Sequence, residues 1–237
     1  MKKIEIYFVI ADVHGCSNLL KKAFSKILEN AKDRNLSKNQ YEIIQLGDAI
    51  DRGFDSKGCI QFLMDHPNII AIKGNHEDFL TNCFDSNNNP LPDSQKEQNM
   101  GYWMQNGGIA TLDSYNVDYG ADEWLDCIPK DHVEWIKNLP TFYETEHYYF
   151  VHAGCSEKPL DQQNDRTRLW IRDEFLNSKY DWGKRIVHGH TPLFEEPTIK
   201  FNRINLDTGS VWTGIQHIAI LDATKNCDPL EILKVQR

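Results

Sequence analysis

Five short polar clusters, each directly after an apolar run, constrain this chain more than any other feature of its sequence. Each cluster combines glycine with Asp, Asn or His, and each follows a segment with the pattern of a buried strand. Ligands bind outside the carboxyl ends of the strands in open α/β sheets, so the five clusters are expected to share one rim. The clusters are Asp12-Val13-His14-Gly15, Gly47-Asp48-Ala49-Ile50-Asp51-Arg52-Gly53, Gly74-Asn75-His76-Glu77, Val151-His152-Ala153-Gly154 and His188-Gly189-His190-Thr191.

The order of apolar and amphipathic segments predicts an α/β protein. Three strand, polar loop and helix units come first, and strands return after residue 141. Between them, a polar loop over 85–93 and helical patterns over 100–115 and 128–139 predict a helical insertion. We expect one domain over 1–237, with the insertion (about 85–139) covering one edge of the site. The predicted strands are 4–11, 41–46, 68–72, 142–146, 148–152, 185–188, 203–206, 215–221 and 230–235, and the first two helices are 17–28 and 56–64.

Composition and charge exclude several classes of protein. With 40% hydrophobic and 26% charged residues, the chain has the composition of a globular protein and is not disordered. A net charge of -9 argues against binding nucleic acid, which requires clustered Lys and Arg. No segment predicts a membrane span or a signal peptide. Six scattered cysteines predict reduced thiols, and the cytoplasm is the expected location.

The residue types in the clusters indicate a site for divalent metal ions. Carboxylate, carboxamide and imidazole together suit Mn, Fe, Zn or Co better than Ca or Mg. Six side chains holding two ions, with one shared carboxylate, would leave positions open for water and substrate. Two ions about 3.5–4 Å apart would generate a hydroxide and clamp the phosphoryl oxygens during in-line attack. The candidate ligands are Asp12, His14, Asp48, Asn75, His152 and His190.

Each motif taken alone has an ordinary structural interpretation. Asp-x-His and Gly-Asn-His are plausible turns, and a single histidine is more often structural than metal-binding. The Asp48 loop is less ordinary, because it places two carboxylates and an arginine within a few residues. Five such clusters in one chain favour a shared site.

The order Asp-x-His-Gly, Gly-Asp-x-Ile-Asp-Arg-Gly, Gly-Asn-His-Glu, His-Ala-Gly, Gly-His-Thr resembles the phosphoprotein phosphatase group of metallophosphoesterases. The resemblance covers residues 12–209 and is strongest to the bacterial and bacteriophage-lambda-type serine/threonine phosphatases. It implies a β-sandwich of two mixed sheets flanked by helices, with two divalent metal ions at the sheet edge. Manganese is the first candidate. The implied activity is hydrolysis of phosphoserine or phosphothreonine, with phosphotyrosine or small phosphate esters as further substrates.

The resemblance also divides the six ligands between the two metals. Asp12 and His14 would bind the first ion, and Asp48 would bridge both. The second ion would be completed by Asn75, His152 and His190.

The remaining matched residues would carry out the proton transfer and hold the phosphate. His76 would be the general acid for the leaving group, oriented and kept protonated by Asp51. Arg52 would hold phosphate oxygens through its planar donors. Arg172, within Trp170-Ile171-Arg172, is the expected second arginine, with Arg166, Arg168 and Arg185 as weaker candidates. We expect His188 to be structural or to support a ligand, and Asp207 to orient a metal-bound histidine.

Two other functions stay open at the level of sequence. A symmetrical diadenosine tetraphosphate hydrolase shares the fold and metals that the resemblance implies. That family commonly has Ala-Arg in place of Asp51-Arg52, and Asp in place of Glu77, so this chain favours the phosphatase. A catalytically silent binding module is less compatible, because every proposed ligand, the acid and the arginine are present. The expected partner is a phosphorylated protein or small phosphate ester, with no nucleic acid and no membrane.

Overall fold

The computed structural model describes residues 3–91, 93–117 and 124–237. Parts of the predicted insertion, residues 92 and 118–123, lie outside the described residues. The strands are β1 (Ile6–Ile10), β2 (Tyr41–Gln45), β3 (Ile69–Ala71), β4 (Phe142–Glu144), β5 (Tyr148–Val151), β6 (Arg185–His188), β7 (Thr198–Ile199), β8 (Arg203–Asn205), β9 (Ile215–Asp222) and β10 (Glu231–Gln236).

Within the described residues the strands form two five-stranded mixed sheets. One sheet has the order β10-β9-β1-β2-β3, and the other has the order β4-β5-β6-β8-β7. Each contains a parallel triplet, β1-β2-β3 in the first sheet and β5-β6-β8 in the second. Parallel strands end at the same edge, so each sheet presents several loops on one rim. The predicted class, two mixed sheets flanked by helices, is confirmed.

The two sheets bury their facing sides against each other, as strand periodicity requires. Tyr7 and Val9 of β1 face Tyr148 and Phe150 of β5 in one cluster, and the intervening Phe8 joins a separate cluster on the opposite face. The ring of Tyr7 meets those of Tyr148 and Phe150 edge to face, with centroids 6.0 and 5.4 Å away. Such pairs add about 0.5–1.5 kcal/mol beyond burial.

Helices cover the outer faces of both sheets. Residues of α1 and α2 join the cluster on the outer face of the first sheet, and Phe175 of α8 packs against the second. Asp55 begins α2 by accepting the Gly58 N–H at 2.9 Å and the Ser17 hydroxyl at 2.5 Å. The helices are α1 (Ser17–Asp33), α2 (Ser56–Asp65), α3 (Asn75–Thr81), α4 (Asp93–Trp103), α5 (Ile109–Ser114), α6 (Lys130–Lys137), α7 (Asp165–Trp170), α8 (Asp173–Asn177) and α9 (Ser210–Thr213).

The predicted helix over 100–115 is divided in the structure. Helix α4 ends at Trp103, a π-helical turn spans Met104–Gly108, and α5 follows. Gly107 breaks the helix with φ 104°, and its carbonyl accepts the backbone N–H of Arg52 at 3.1 Å. A Cβ at Gly107 would lie 2.8 Å from the Arg52 side chain, so only glycine fits this contact. The insertion is therefore fastened to the loop that carries Arg52.

Among the described residues, no helix combines the length and the apolar character needed to cross a membrane. No disulfide joins any of the six cysteines, all of which lie in the described part of the chain.

Buried His132 of α6 predicts a loss of stability in mild acid. Its Nδ1 lies 2.7 Å from the Tyr115 hydroxyl, and burial lowers its pKa. The unfolded chain therefore binds a proton at this residue more readily than the folded protein. As pH falls below about 6.5, His132 should reduce the free energy of unfolding by up to about 1.4 kcal/mol per pH unit. Urea unfolding at pH 5 and pH 8 should show a smaller difference for His132→Gln than for wild type. An equal or larger difference would contradict this assignment.

Candidate metal centre

All five polar clusters lie at the carboxyl ends of strands β1, β2, β3, β5 and β6 or directly beyond them. Several of their residues adopt positive φ without being glycine, a conformation that concentrates at functional sites. These residues are His14, Asp48, Asp51, Arg52 and His190, with φ from 42° to 71°. The strained backbone and the candidate side chains thus occur in the same loops.

Asn75, His152 and His190 bring three ligand atoms into one small cluster. Asn75 Oδ1 lies 2.9 Å from His152 Nε2 and 2.8 Å from His190 Nδ1, and the two nitrogens are 3.1 Å apart. Asp48 Oδ1 is 3.4 Å from His152 Nε2. His152 Nδ1 is 2.8 Å from the Leu46 carbonyl, and donating its proton there leaves the Nε2 lone pair facing the cluster. Mutually facing acceptors of this kind fit a divalent cation between them.

A second ligand group forms around the other oxygen of Asp48. His14 Nε2 lies 3.6 Å from Asp48 Oδ2, and His76 Nε2 lies 3.8 Å from the same oxygen. His14 Nδ1 is 2.8 Å from the Ile50 carbonyl, which leaves the Nε2 lone pair for a metal ion or, as in this structure, for the Arg52 guanidinium. Both ligand groups that the described residues offer to a metal include Asp48, and neither includes cysteine. Asp48 therefore stands where a bridging carboxylate would.

The electrostatics of the centre also favour cations. Burial by itself would lower the pKa of His152, but the Asp48 and Asp12 carboxylates outweigh it and raise that pKa to about 10. Burial and the neighbouring imidazoles hold the pKa values of His14 and His190 well below the usual range, so both rings are neutral. A divalent ion would compete with the proton on His152, and metal binding is expected to release it.

Asp12 occupies a different position from the other candidate ligands. Its carboxylate accepts the backbone N–H of His190, with distances of 3.0 and 3.2 Å to the two oxygens. A Cβ on Gly189 would lie 2.0 Å from Asp12 Oδ1, so glycine is required for this approach. Burial, followed by Asp207, raises the pKa of Asp12 well above its usual range. Asp12 lies beside the centre, outside the two compact groups around Asp48.

His76 and Asp51 form a direct pair beside the metal groups. His76 Nδ1 lies 2.6 Å from Asp51 Oδ2, and the backbone N–H of His76 donates to Asp48 Oδ1 at 3.0 Å. With Nδ1 held by Asp51, Nε2 faces the centre. This is the geometry expected of an imidazole oriented as a proton donor.

The insertion holds Asp51 in place. The Trp103 indole N–H lies 2.9 and 3.0 Å from the two carboxylate oxygens, and the Thr111 hydroxyl donates to Oδ1 at 2.5 Å. All three residues are fully buried. The sequence predicts Trp103 only as part of the insertion and assigns no role to Thr111. The sequence gives no signal for either contact, because Trp103 and Thr111 are 52 and 60 residues away from Asp51 in the chain.

The two predicted arginines lie next to different ligand groups. Arg52 Nη1 is 2.5 Å from His14 Nε2, and its guanidinium lies 5.2 Å from the ring centroid of Trp212, a residue the sequence does not single out. Arg172 Nη1 donates to the Thr191 hydroxyl at 3.3 Å, next to His190. Both guanidinium groups thus border the metal groups.

The weaker arginine candidates are less suited to binding phosphate. Arg168 donates to Tyr149 and Asp165, and Arg185 donates to Asp228, Asn226 and the Lys200 carbonyl. Arg166 is exposed on α7. These contacts favour Arg172 among the four.

His188 and Asp207 lie near the centre without joining the ligand groups. His188 Nδ1 is 3.0 Å from the Gly189 carbonyl, its ring packs edge-on against Phe175, and burial lowers its pKa to about 3. The Asp207 carboxylate accepts the Gly209 N–H at 2.9 Å, and burial raises its pKa to about 6. No contact to a histidine is recorded for Asp207 among the described residues, so the expected orienting role does not find support.

Glu77 is a supporting residue whose role the sequence does not predict. Its carboxylate accepts the backbone N–H groups of Asp48, Ala49 and Gly74, each at 2.8 Å. It thereby joins the Asp48 loop to the start of α3, which carries Asn75. A Glu at the third position of a helix is the available sequence signal, because this position often reaches back to the helix start.

Replacing Glu77 should lower the free energy of unfolding, because its carboxylate joins the Asp48 loop to α3. Glu77→Ala leaves three buried N–H groups without acceptors, and we expect a loss on the order of 3 kcal/mol in the free energy of unfolding. Urea denaturation measures this loss, with Glu77→Gln as the matched variant that keeps the shape and should lose less. A loss below about 1 kcal/mol for Glu77→Ala would contradict the assigned role.

The shared carboxylate, the imidazole groups and the flanking arginines define a class, the metal-dependent phosphatases. A model of the calcineurin-like phosphoesterase family matches residues 7–219, and the chain belongs to this family. The resemblance identified from the motifs is thereby confirmed.

Two relatives show how widely the fold is shared. Serine/threonine-protein phosphatase 1 of Salmonella typhimurium is 25% identical over 213 residues, which cover 87% of this chain and 88% of the relative. A solved structure provisionally named a diadenosine tetraphosphatase superposes with a TM-score of 0.65 at 17% identity, over 98% of this chain and 94% of its own.

A third relative adds another substrate to the range. A cold-active protein tyrosine phosphatase superposes with a TM-score of 0.58 at 15% identity, over 92% of this chain and 74% of its own. At these identities the two structural neighbours show the fold alone. The three proteins are named as a serine/threonine phosphatase, a protein tyrosine phosphatase and a diadenosine tetraphosphatase.

Proposed function

We propose that this protein is a dinuclear metal phosphomonoesterase that removes phosphate from phosphoserine and phosphothreonine in proteins. The observation that carries the proposal is the shared position of Asp48, whose two oxygens face two separate ligand groups. The His76–Asp51 pair next to it supplies the second requirement, a positioned proton donor.

The proposed metal ligands follow from the side chains that converge on Asp48. Asn75, His152 and His190 would hold one ion with Asp48, and His14 would hold the other with Asp48. Asp12, which lies outside these groups, is proposed to join His14 on the strength of the family resemblance. The mixture of imidazole, carboxylate and amide oxygen supports manganese, with Fe, Zn or Co as the other candidates. Bound divalent ions would lower the pKa of water and neutralise charge on the phosphoryl oxygens.

The protein side chains would supply orientation and a proton. Arg52, next to His14, and Arg172, next to Thr191, would hold phosphate oxygens through charge-assisted hydrogen bonds. His76 would donate the Nε2 proton to the departing ester oxygen, while Asp51 fixes the ring through Nδ1. Trp103 and Thr111 would keep Asp51 in position. The lack of disulfides among the six described cysteines supports a reducing compartment, and we propose the cytoplasm as the location.

A symmetrical diadenosine tetraphosphate hydrolase is the competing function, and one structural neighbour carries a related name. The buried contacts of Asp51 and Glu77 support the phosphatase, because these positions commonly differ in the hydrolase family. The test is turnover of a phosphothreonine peptide and of diadenosine tetraphosphate by the same manganese-loaded protein. We expect the peptide to have the higher kcat/KM, and a clear preference for the dinucleotide would overturn the assignment.

A further inference from the structure

A large groove lies beside the metal centre, on the side formed by helix α1. It has a volume of about 1160 Å³, larger than the roughly 300–1,000 Å³ of typical small-molecule pockets. One wall is the exposed side of α1 from Asn18 to Glu29, and the other is formed by Phe54, Asp55 and residues 235–237. Along α1 this wall extends about 17 Å, enough for about five residues of extended chain.

The near end of the groove is formed by residues that directly follow the loops carrying His14 and Arg52. Gly15, which lines its near end, directly follows His14, and Phe54 on the rim is two residues beyond Arg52. The two loops touch through bare backbone: a Cβ on Gly15 would lie 2.6 Å from the Gly53 carbonyl oxygen. The near end of the groove therefore lies next to the loops that carry His14 and Arg52.

The groove is basic in a protein that carries a net charge of -9. Its cationic side chains are Lys21, Lys22, Lys26 and Arg237, and its carboxylates are Glu29 and Asp55. Both carboxylates are engaged within the protein: Glu29 pairs with Lys26 at 2.8 Å, and Asp55 accepts from Ser17 and Gly58. Lys21, Lys22 and Arg237 line the groove without a side-chain carboxylate partner among the described residues, so no neighbouring side chain neutralises their charges.

The rim adds an apolar contact to this charge. The side chain of Phe54 is 89% exposed, an unusual state for a phenylalanine next to a catalytic loop. Lys22 Nζ donates to the Gln236 carbonyl at 2.8 Å, and the Arg237 guanidinium lies 3.1 Å from Cys16 Sγ. Both contacts join the α1 side of the groove to the residues at 236–237.

We propose that this groove docks an acidic segment flanking the phosphorylated residue of a protein substrate. The charges match such a segment, the length matches several residues, and the near end of the groove adjoins the loops that carry His14 and Arg52. This inference rests on the proposed phosphatase activity and specifies which protein substrates it favours. Complementary charge would act on association and specificity more than on the chemical step.

The test compares two phosphothreonine peptides that differ only in their flanking residues. In the acidic peptide the flanks are Glu and Asp, and in the neutral peptide they are Ser and Gly. Wild type should show a lower KM for the acidic peptide, with similar kcat for both. Lys21→Glu/Lys22→Glu should raise the KM of the acidic peptide about tenfold, and salt should weaken the wild-type preference. Lys32→Glu/Lys38→Glu is the matched control, with the same charge change on exposed residues outside the groove. It should leave the preference unchanged.

Turnover of p-nitrophenyl phosphate separates this inference from the proposed function. Both double variants should hydrolyse it as wild type does, because it is too small to reach the groove. If the wild-type protein hydrolyses no phosphate ester, the proposed phosphatase activity is refuted. Docking in the groove can still be measured in that case, by fluorescence anisotropy with a labelled acidic peptide. Equal KM values for the two peptides, or equal effects of both double variants, would overturn the groove assignment. Two other outcomes would also overturn it: the protein binds a single-stranded RNA oligonucleotide and not the peptide, or it forms a dimer that Phe54→Ala abolishes and does not bind the peptide.

Discussion

Replacing Asp48 with Asn should reduce kcat by about 10³-fold or more on every phosphate ester. In the proposed centre Asp48 would bind both ions. Metal ions stabilise the charge of a transition state by several kcal/mol, and each 1.36 kcal/mol is worth about tenfold in rate. Asn keeps the size of Asp48 but removes the charge that raises the pKa of His152. Steady-state kinetics with saturating manganese measure the effect.

The matched control for this variant is Asp207→Asn. Asp207 is buried nearby and bonds the Gly209 backbone, but it belongs to neither ligand group. We expect a loss of at most about 10²-fold, typical of a residue that acts through its neighbours. Similar losses of kcat for the two variants would contradict a role for Asp48 as the ligand shared by two metal ions.

The second large effect is expected for His76→Asn. Loss of a positioned general acid should lower kcat by about 10²–10⁴-fold on a phosphothreonine peptide or alkyl phosphate, whose leaving oxygen needs a proton. With p-nitrophenyl phosphate the departing phenolate is stable, so the loss should be much smaller. The ratio of the two losses is the measurement. Equal losses would indicate that His76 acts mainly as a metal ligand, consistent with its distance of 3.8 Å from Asp48 Oδ2.

Asp51→Asn tests the same proton donor through its partner. The variant keeps the shape of a fully buried side chain that bonds His76, Trp103 and Thr111. It should reproduce the substrate dependence of His76→Asn with a smaller loss, about 10–100-fold. A loss that does not depend on the leaving group would contradict a role through His76.

The candidate ligands could be predicted from sequence because their position depends on local rules. Asp48 and His152 each come directly after a buried strand, and parallel strands deliver such residues to one edge. The sharing of Asp48 between two groups was implied only by resemblance, because sequence carries no distances. The contact of Asp12 with the His190 backbone likewise depends on the pairing of the two sheets across 178 residues.

The contacts that hold Asp51 in place could not be predicted either, because they join residues that are far apart in the sequence. Trp103 and Thr111 reach Asp51 from 52 and 60 residues away, through an insertion whose helix is broken at Gly107. Its periodicity predicts a continuous helix, but packing against Arg52 favours the break. Short elements such as α7, α8 and β7 contain too few residues for a periodic pattern to emerge.

The most direct test of the dinuclear centre is the metal content of the purified protein. After loading with manganese and gel filtration, elemental analysis should find two ions per chain in wild type and in His76→Asn. Asp48→Asn should retain one ion or fewer, because both groups lose the same ligand. Wild-type protein that never retains more than one ion, or an Asp48→Asn variant that retains two, would contradict a centre bridged by Asp48.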